Sequence, residues 1–193
     1  AQYDSPFING MTADEYKDVD LFYYPKSSNK DIESLDFIQK LLADQSDQPL
    51  FIYVVKYGVH YPYSYPKGKS KYLVENLSYD KITKKDLVNH YKNAIVANID
   101  PFFERLFKLS AKNSVFIYTS DHGQNLLDNG LLISHGSTEN TVAGEGTVPL
   151  FVWTESSEWK NKFQNYLYYN KDRTSHFNIF STVLTIAGYS IND

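Results

Sequence analysis

From Asn29 onward the apolar residues fall at helical spacing. Ile32, Leu35, Ile38, Leu41 and Leu42 share one face and predict an amphipathic helix that stops near Asp44-Gln45-Ser46. Residues 1 to 30 mix Gly, Pro, Ser, Asn and acidic residues without a sustained period, which predicts a loop-rich lead-in. A short helix is expected in it near Thr12 to Tyr16, where Thr12-Ala13-Asp14-Glu15 has capping-box spacing. Pro49 to Val55 is apolar on both faces and predicts a buried strand inside a helix-covered parallel sheet. It empties into Lys56 to Tyr63 and then a loop of Pro, Gly, Lys and Ser to about Tyr79, a length more often functional than inert.

Leu87, Tyr91, Ile95, Ile99, Phe102, Leu106 and Leu109 mark one face of a long helical segment. Asp100-Pro101 should kink or interrupt it, because Pro lacks the amide proton that position would donate. Ser114 to Ser120 is the next predicted buried strand, and Val148 to Trp153 a third, with Pro149 near its start where a missing donor is tolerated. Between them, Gln124 to Gly146 is polar, contains Asp128-Asn129-Gly130 and reads as a turn-rich loop beside a site. Two helices close the chain. Trp159, Phe163 and Leu167 pattern the first behind Ser156 as N-cap, and Phe177, Phe180, Leu184 and Ala187 the second, between Thr174 or Ser175 and Gly188. Such alternation argues for an α/β sandwich with a mainly parallel sheet, whose functional loops gather at the carboxyl ends of the strands.

With 193 residues, one core is expected: a single domain or fragment, with residues 1–30 as lead-in and 31–190 as sheet and helices. Net charge of −4 disfavours a non-specific phosphate-backbone binder, so no nucleic-acid partner is expected. The short basic runs at Lys67 to Lys71 and Lys84-Lys85 read as solvated loop. The absence of Cys excludes disulfides and thiolate metal sites, leaving His, Asp and Glu as metal ligands. No apolar stretch approaches the ~20 residues needed to span a bilayer. The only Met is Met11, so the chain is expected to begin at a processing site or as a fragment.

Candidate chemistry centres on Thr119-Ser120-Asp121-His122-Gly123 and on His135-Gly136. An acid and an imidazole side by side where a strand ends suit an oxygen-plus-nitrogen metal site. In a regular strand neighbouring side chains point apart, so Asp121 and His122 can share one ion only if the backbone turns, which Gly123 permits. His60, His122 and His135 all follow predicted strands or lie in the loops these open. That placement alone leaves a shared site and ordinary surface histidines both open. His90 reads as exposed, and His176 as a structural hydrogen-bonding residue at a helix start. Asp128, Glu139 and Glu145 read as solvated, with one able to orient a metal-bound His. No Gly-x-Ser-x-Gly, Walker loop or dinucleotide fingerprint is present. The tyrosines Tyr57, Tyr61, Tyr63 and Tyr65 offer either loop packing or a stacking surface.

Val115 to Gly123, then Asp128-Asn129-Gly130, His135-Gly136 and Val148 to Trp153, resemble the sulfatase branch of the alkaline phosphatase superfamily, nearest to bacterial phosphoethanolamine transferases. His60-Tyr61-Pro62-Tyr63, Tyr91-Lys92-Asn93-Ala94 with Asp100, and Ser175 to Thr182 extend the resemblance in unbroken order over about residues 30 to 190. It implies an alkaline phosphatase-like three-layer α/β sandwich, present as its carboxyl-terminal part. It implies Asp121 and His122 as ligands of a divalent metal, zinc in the transferases and manganese or calcium in relatives. His60 and His135 would contact the transferred phosphate or sulfate, or hold a second metal.

The same resemblance implies transfer onto an envelope lipid or glycan, at the periplasmic or extracytoplasmic face of a bacterial inner membrane, with a membrane anchor upstream. In these families another acidic ligand and a Thr, Ser or formylglycine nucleophile come from upstream of the segment matching residue 30, and the chain is expected to lack them. Gln124 stands where many transferases place Glu. Sulfate-ester hydrolysis and a non-catalytic glycan- or partner-binding domain are the alternative functions.

Overall fold

The structure, a computed structural model, describes residues 14–44, 49–78, 80–109, 112–131, 135–136 and 141–190. Thr12 of the expected capping box, Gln45 and Ser46 at the first helix stop, and Glu139 lie outside these residues. Contacts divide the chain into two compact units, Ala1–Ser110 with Asp121–Val148, and Ala111–Ser120 with Pro149–Asp193.

In the first unit a short 3-10 turn, Glu15–Asp18, precedes α1 (Lys30–Ala43). Asn29 caps α1 by accepting the Ile32 amide proton, and the predicted apolar face buries Leu35 and Ile38. Burying such side chains contributes about 1.5–3 kcal/mol each. The α1 face packs on α3 (Asp100–Leu106), with Arg105 bound to Asp36 at 2.6 Å; that pair is half exposed and adds little. More consequential is Asp31 in the first turn of α1. It is largely buried with Lys56 as its ion-pair partner, and it also accepts the Tyr57 (2.7 Å) and Gly58 (3.2 Å) amide protons. One carboxylate thus fixes the point where residues 49–55 give way to the loop carrying His60.

The long helical segment is interrupted, but ahead of the proline. Thr83 caps α2 (Lys84–Ala94), and residues Ile95–Ile99 widen into a π turn in which the Asp100 amide reaches Ile95 O. Pro101 then sits in the first turn of α3, where its missing N–H costs nothing. The physical reason for the shift is that a proline ring crowds the carbonyl of residue i−4, so the ladder loosens over the residues before it. Tyr63, Leu87 and Ala94 form the core of this unit, with Val59, Tyr65, Ile82, Tyr91, Leu126 and Leu127 packed round it.

In the second unit β1 (Val115–Thr119) pairs with β2 (Leu150–Thr154) in antiparallel register, Val115 opposite Thr154 and Thr119 opposite Leu150. Phe116 lies against Trp153 and Tyr118 stacks on Phe151. Ser156 caps α5 (Ser157–Asn170) by accepting the Trp159 amide proton, and α6 (Phe177–Ile186) follows.

The expected mainly parallel sheet is corrected by this pairing: among the described residues the sheet is two-stranded and antiparallel. Apolar runs report that a segment is to be covered, not the direction of its neighbour. The expected strand at Pro49 to Val55 is also corrected. It carries no strand pairing among the described residues, and Phe51 and Tyr53 stand 74% and 64% exposed. A central parallel strand needs hydrogen-bonding neighbours on its edges, and among the described residues the only strand pairing is that of β1 with β2. For the same reason β1 is half-buried along its length instead of fully enclosed.

Candidate functional site

The site belongs to the first unit and grows from the turn that follows Ser120. Here Gly123 donates its amide proton to Glu145 O (2.7 Å) and Gln124 donates to Gly144 O (3.1 Å). The short helix α4 (Ala143–Gly146) is thereby laid against the motif. The approach is so close that a Cβ on Gly123 would sit 1.9 Å from Gly144 O, and one on Gly144 would sit 3.0 Å from Gln124 O. Gly123 is therefore required for contact with α4, a different reason from the turn expected of it.

Asp121 and His122 are brought together as anticipated. The Asp121 carboxylate accepts the His122 amide proton through Oδ1 (3.0 Å), and its Oδ2 lies 3.7 Å from His122 Nε2. His122 donates from Nδ1 to Gly123 O (2.7 Å), which fixes the tautomer and puts the lone pair on Nε2, the arrangement of a metal-ligating imidazole. His135 stacks on this ring, with centroids 3.8 Å apart and planes 25° from parallel. Burial holds the pKa of His135 below the ordinary imidazole value. The positive forms of His122 and then His60 add to that, and the carboxylates of Asp121 and Glu145 oppose it. All four residues therefore act electrostatically on His135. His60, exposed, donates from Nδ1 to Tyr61 O (2.5 Å) and carries its lone pair on Nε2.

The donor chemistry of Asp121 and His122 suits a divalent cation, and neither side chain is committed as a proton donor toward the other. Among the described residues, however, no group of three or more His, Asp or Glu side chains is arranged to hold an ion.

Two residues read as solvated in sequence are not. Glu145 is buried, accepting the Gly136 amide proton (3.1 Å) and that of Val142 (3.5 Å), so it fixes the turn behind His135. Its position between Gly144 and Gly146 was the available signal. His90, expected to be exposed, is half-buried and engaged at both ring nitrogens, by Tyr65 Oη (3.2 Å) and Pro62 O (2.7 Å). Asp128 is partly exposed, bound to Lys84 (2.7 Å) and the Leu126 amide (3.1 Å), and the lysine hydrogen bond pulls its pKa down.

In the second unit, exposed His176 lies within hydrogen-bond distance of Ser120 O (2.8 Å) and Thr119 Oγ1 (3.2 Å), a structural tie at the end of β1. Of the loop tyrosines, Tyr63 is fully buried, and burial, then Tyr91 and Tyr61, raises its pKa. Its hydroxyl donates to Gln124 Oε1 (3.0 Å), joining the His60 loop to the Asp121 turn. Tyr57 and Tyr61 remain exposed at the loop rim.

No helix among the described residues is long and apolar enough to cross a membrane. A curated relative, the phosphatidylethanolamine transferase Mcr-1 of Escherichia coli, is 25% identical over 141 residues, which cover 68% of this chain and 26% of that protein. The crystal structure of the soluble domain of lipooligosaccharide phosphoethanolamine transferase A from Neisseria meningitidis superposes with a TM-score of 0.65 at 26% identity. That match covers 81% of this chain and 50% of the solved one. The chain thus spans about half of the solved domain and about a quarter of the curated relative. The family profile described as Sulfatase matches residues 1–189, nearly the whole length, and on that match the chain belongs to the sulfatase family.

Proposed function

We propose that the protein performs metal-dependent phosphoryl transfer of the phosphoethanolamine transferase type, with an envelope lipid or glycan as acceptor, at the extracytoplasmic face of a bacterial inner membrane. The observation that carries this reading is the stacking of His135 on His122 beside Asp121, with His60 acting electrostatically on the same ring, in a chain whose two named relatives are a phosphatidylethanolamine transferase and a lipooligosaccharide phosphoethanolamine transferase. Asp121 and His122 would hold the metal, zinc by analogy with the transferases. When bound, it would supply positive charge against the transferring group and acidify an attacking hydroxyl.

His60 and His135 would bind the oxygens of the phosphoryl group. The depressed pKa of His135 keeps its imidazole neutral near pH 7, able to donate one hydrogen bond and to accept another. The nucleophile is assigned to the portion of the relatives' domain that this chain does not span. A pair of exposed rings, Tyr57 and Tyr61, borders the His60 side and would face the acceptor.

The test is transfer activity of the complete protein in Asp121→Asn, His122→Ala and His135→Ala. Each is expected to lose about 10²-fold or more, the scale for removing a group that stabilises transition-state charge. Near-normal turnover in all three would sink the proposal. Activity on sulfate esters with none on phosphoethanolamine donors would instead select sulfate hydrolysis.

A further inference from the structure

We infer that His90, on the polar face of α2, is a positioning residue for His60, an inference that rests on the phosphate-contacting role proposed for His60. Successive side chains of α2 and the π turn grip the backbone of the 62–75 loop. Asp86 accepts the Glu75 amide (2.8 Å) and Asn89 donates to Leu73 O (2.7 Å). Asn93 Oδ1 accepts the Lys71 and Tyr72 amides (2.8 Å each), and its amide nitrogen donates to Tyr72 O (2.8 Å) and Tyr65 Oη (3.2 Å). Asn98 donates to Ser64 O (2.9 Å).

Within this row His90 acts nearest to His60. A carbonyl can only accept, so His90 Nε2–H donates to Pro62 O, and Nδ1 is left to accept from the Tyr65 hydroxyl. The Tyr65 oxygen in turn accepts from Asn93, making a directed chain Asn93 to Tyr65 to His90 to Pro62. Two residues before Pro62, the His60 carbonyl accepts the Tyr63 amide proton (2.8 Å), and the buried Tyr63 ring meets His90 edge-on at 6.0 Å. The turn that presents His60 is thus closed by Tyr63 and backed by His90. Among the described residues His90 shares no hydrogen bond or ring contact with Asp121 or His122, and its effect on a reacting group would pass through His60.

The proposal is tested with His90→Leu, which removes both hydrogen bonds, and His90→Gln, which keeps a side-chain N–H for Pro62 O. In the complete protein His90→Leu is expected to speed exchange of the Tyr63 amide proton about tenfold or more while leaving α1 protected. It should lower kcat/KM about tenfold, and His90→Gln should restore both to within about threefold. In a His60→Ala background the His90→Leu loss should vanish, because a residue acting through His60 has nothing left to position.

Unchanged Tyr63 exchange, failure of the Gln variant to restore, or an undiminished loss without His60 would each overturn the inference. Should His60→Ala abolish measurable turnover, exchange and Gln rescue decide. Should His60→Ala itself leave activity unchanged, the phosphate-contact role of His60 is what fails, and the exchange arms still report whether His90 holds the turn.

Discussion

The two stretches that supply the site histidines are held by opposite means. The stretch that carries Asp121 and His122 is locked backbone to backbone where it meets α4: Gly123 and Gln124 bond to the carbonyls of Glu145 and Gly144, and two glycines meet where no Cβ fits. The 57–78 loop makes few such bonds and is instead held by side chains, Asp31 at its start and Asp86, Asn89, His90, Asn93 and Asn98 along it. The first arrangement admits no side chain at the glycine contact, and the buried Glu145 carboxylate holds the turn behind His135. The second distributes its hold over many residues, each removable singly. Lock and grip are joined by the Tyr63 to Gln124 hydrogen bond and by Leu126 and Leu127 packing against the core that Tyr63 helps to form.

Gly123→Ala should give the largest effect. A methyl group 1.9 Å from Gly144 O forces α4 away from the Asp121-His122 turn, at a cost of about 3 kcal/mol for an overpacked contact that cannot relax. Gly68→Ala is the control. Gly68 has φ +83° with open space around it, so Ala there meets only backbone strain of about 1–2 kcal/mol. Denaturant midpoints of the two variants measure the difference. Equal losses would mean that close approach does not lock this stretch, and the contrast between the two regions would break.

Asn93→Leu comes next. Fully buried Asn93 satisfies two amide protons and one carbonyl of the loop as well as the Tyr65 hydroxyl. Its loss strands those groups, and about 2–3 kcal/mol is expected, the range for leaving buried polar groups unpaired. Asn93→Asp keeps both acceptor bonds and should lose less. Hydrogen exchange at Lys71 and Tyr72 would follow the same order. A uniform rise in exchange across the whole unit, with no excess at 71–72, would show that the grip is not local.

Much of this organisation is legible in the sequence, and the illegible part is of one kind. The α1, α5 and α6 helices and the strands β1 and β2 follow from the apolar period, although of the three helices only α1 buries its predicted face, through Leu35 and Ile38, while Phe177 and Phe180 of α6 stand exposed. The direction of β-pairing does not follow, since Val115 to Thr119 would show the same apolar run beside a parallel or an antiparallel neighbour. At the site, Asp121, His122 and His135 announce themselves by residue type, whereas Glu145 and His90 do not. A polar residue in a loop or on a helix's polar face reads as solvated until the chain that covers it is known. Asn93 is the sharpest case: its neighbours Leu87 and Tyr91 mark the helix, but only the folded 65–72 loop explains why an amide is buried there.

The smallest predicted effect uses the grip in a form that acid can release. From the first turn of α1, Glu33 accepts the Tyr23 hydroxyl proton (2.7 Å) through Oε1 and the Lys26 (2.9 Å) and Ser27 (2.6 Å) amide protons through Oε2. The Tyr23 bond first, then the Ser27 amide, brings its pKa down to about 2, against roughly 4.3 for an unperturbed Glu. A carboxylate lowered on folding stabilises fully above the unfolded value, and that stabilisation is lost as pH falls through the folded one. Residues 23–27 should therefore loosen progressively between about pH 4.3 and pH 2, read as faster exchange of the Ser27 amide after correction for intrinsic rates, with the Lys71 and Tyr72 amides unaffected because Asn93 does not titrate. Glu33→Gln should remove this pH dependence. Release of residues 71–72 in the same window would tie the two loops into one cooperative element and dissolve the distinction between a grip that acid opens and one that it cannot.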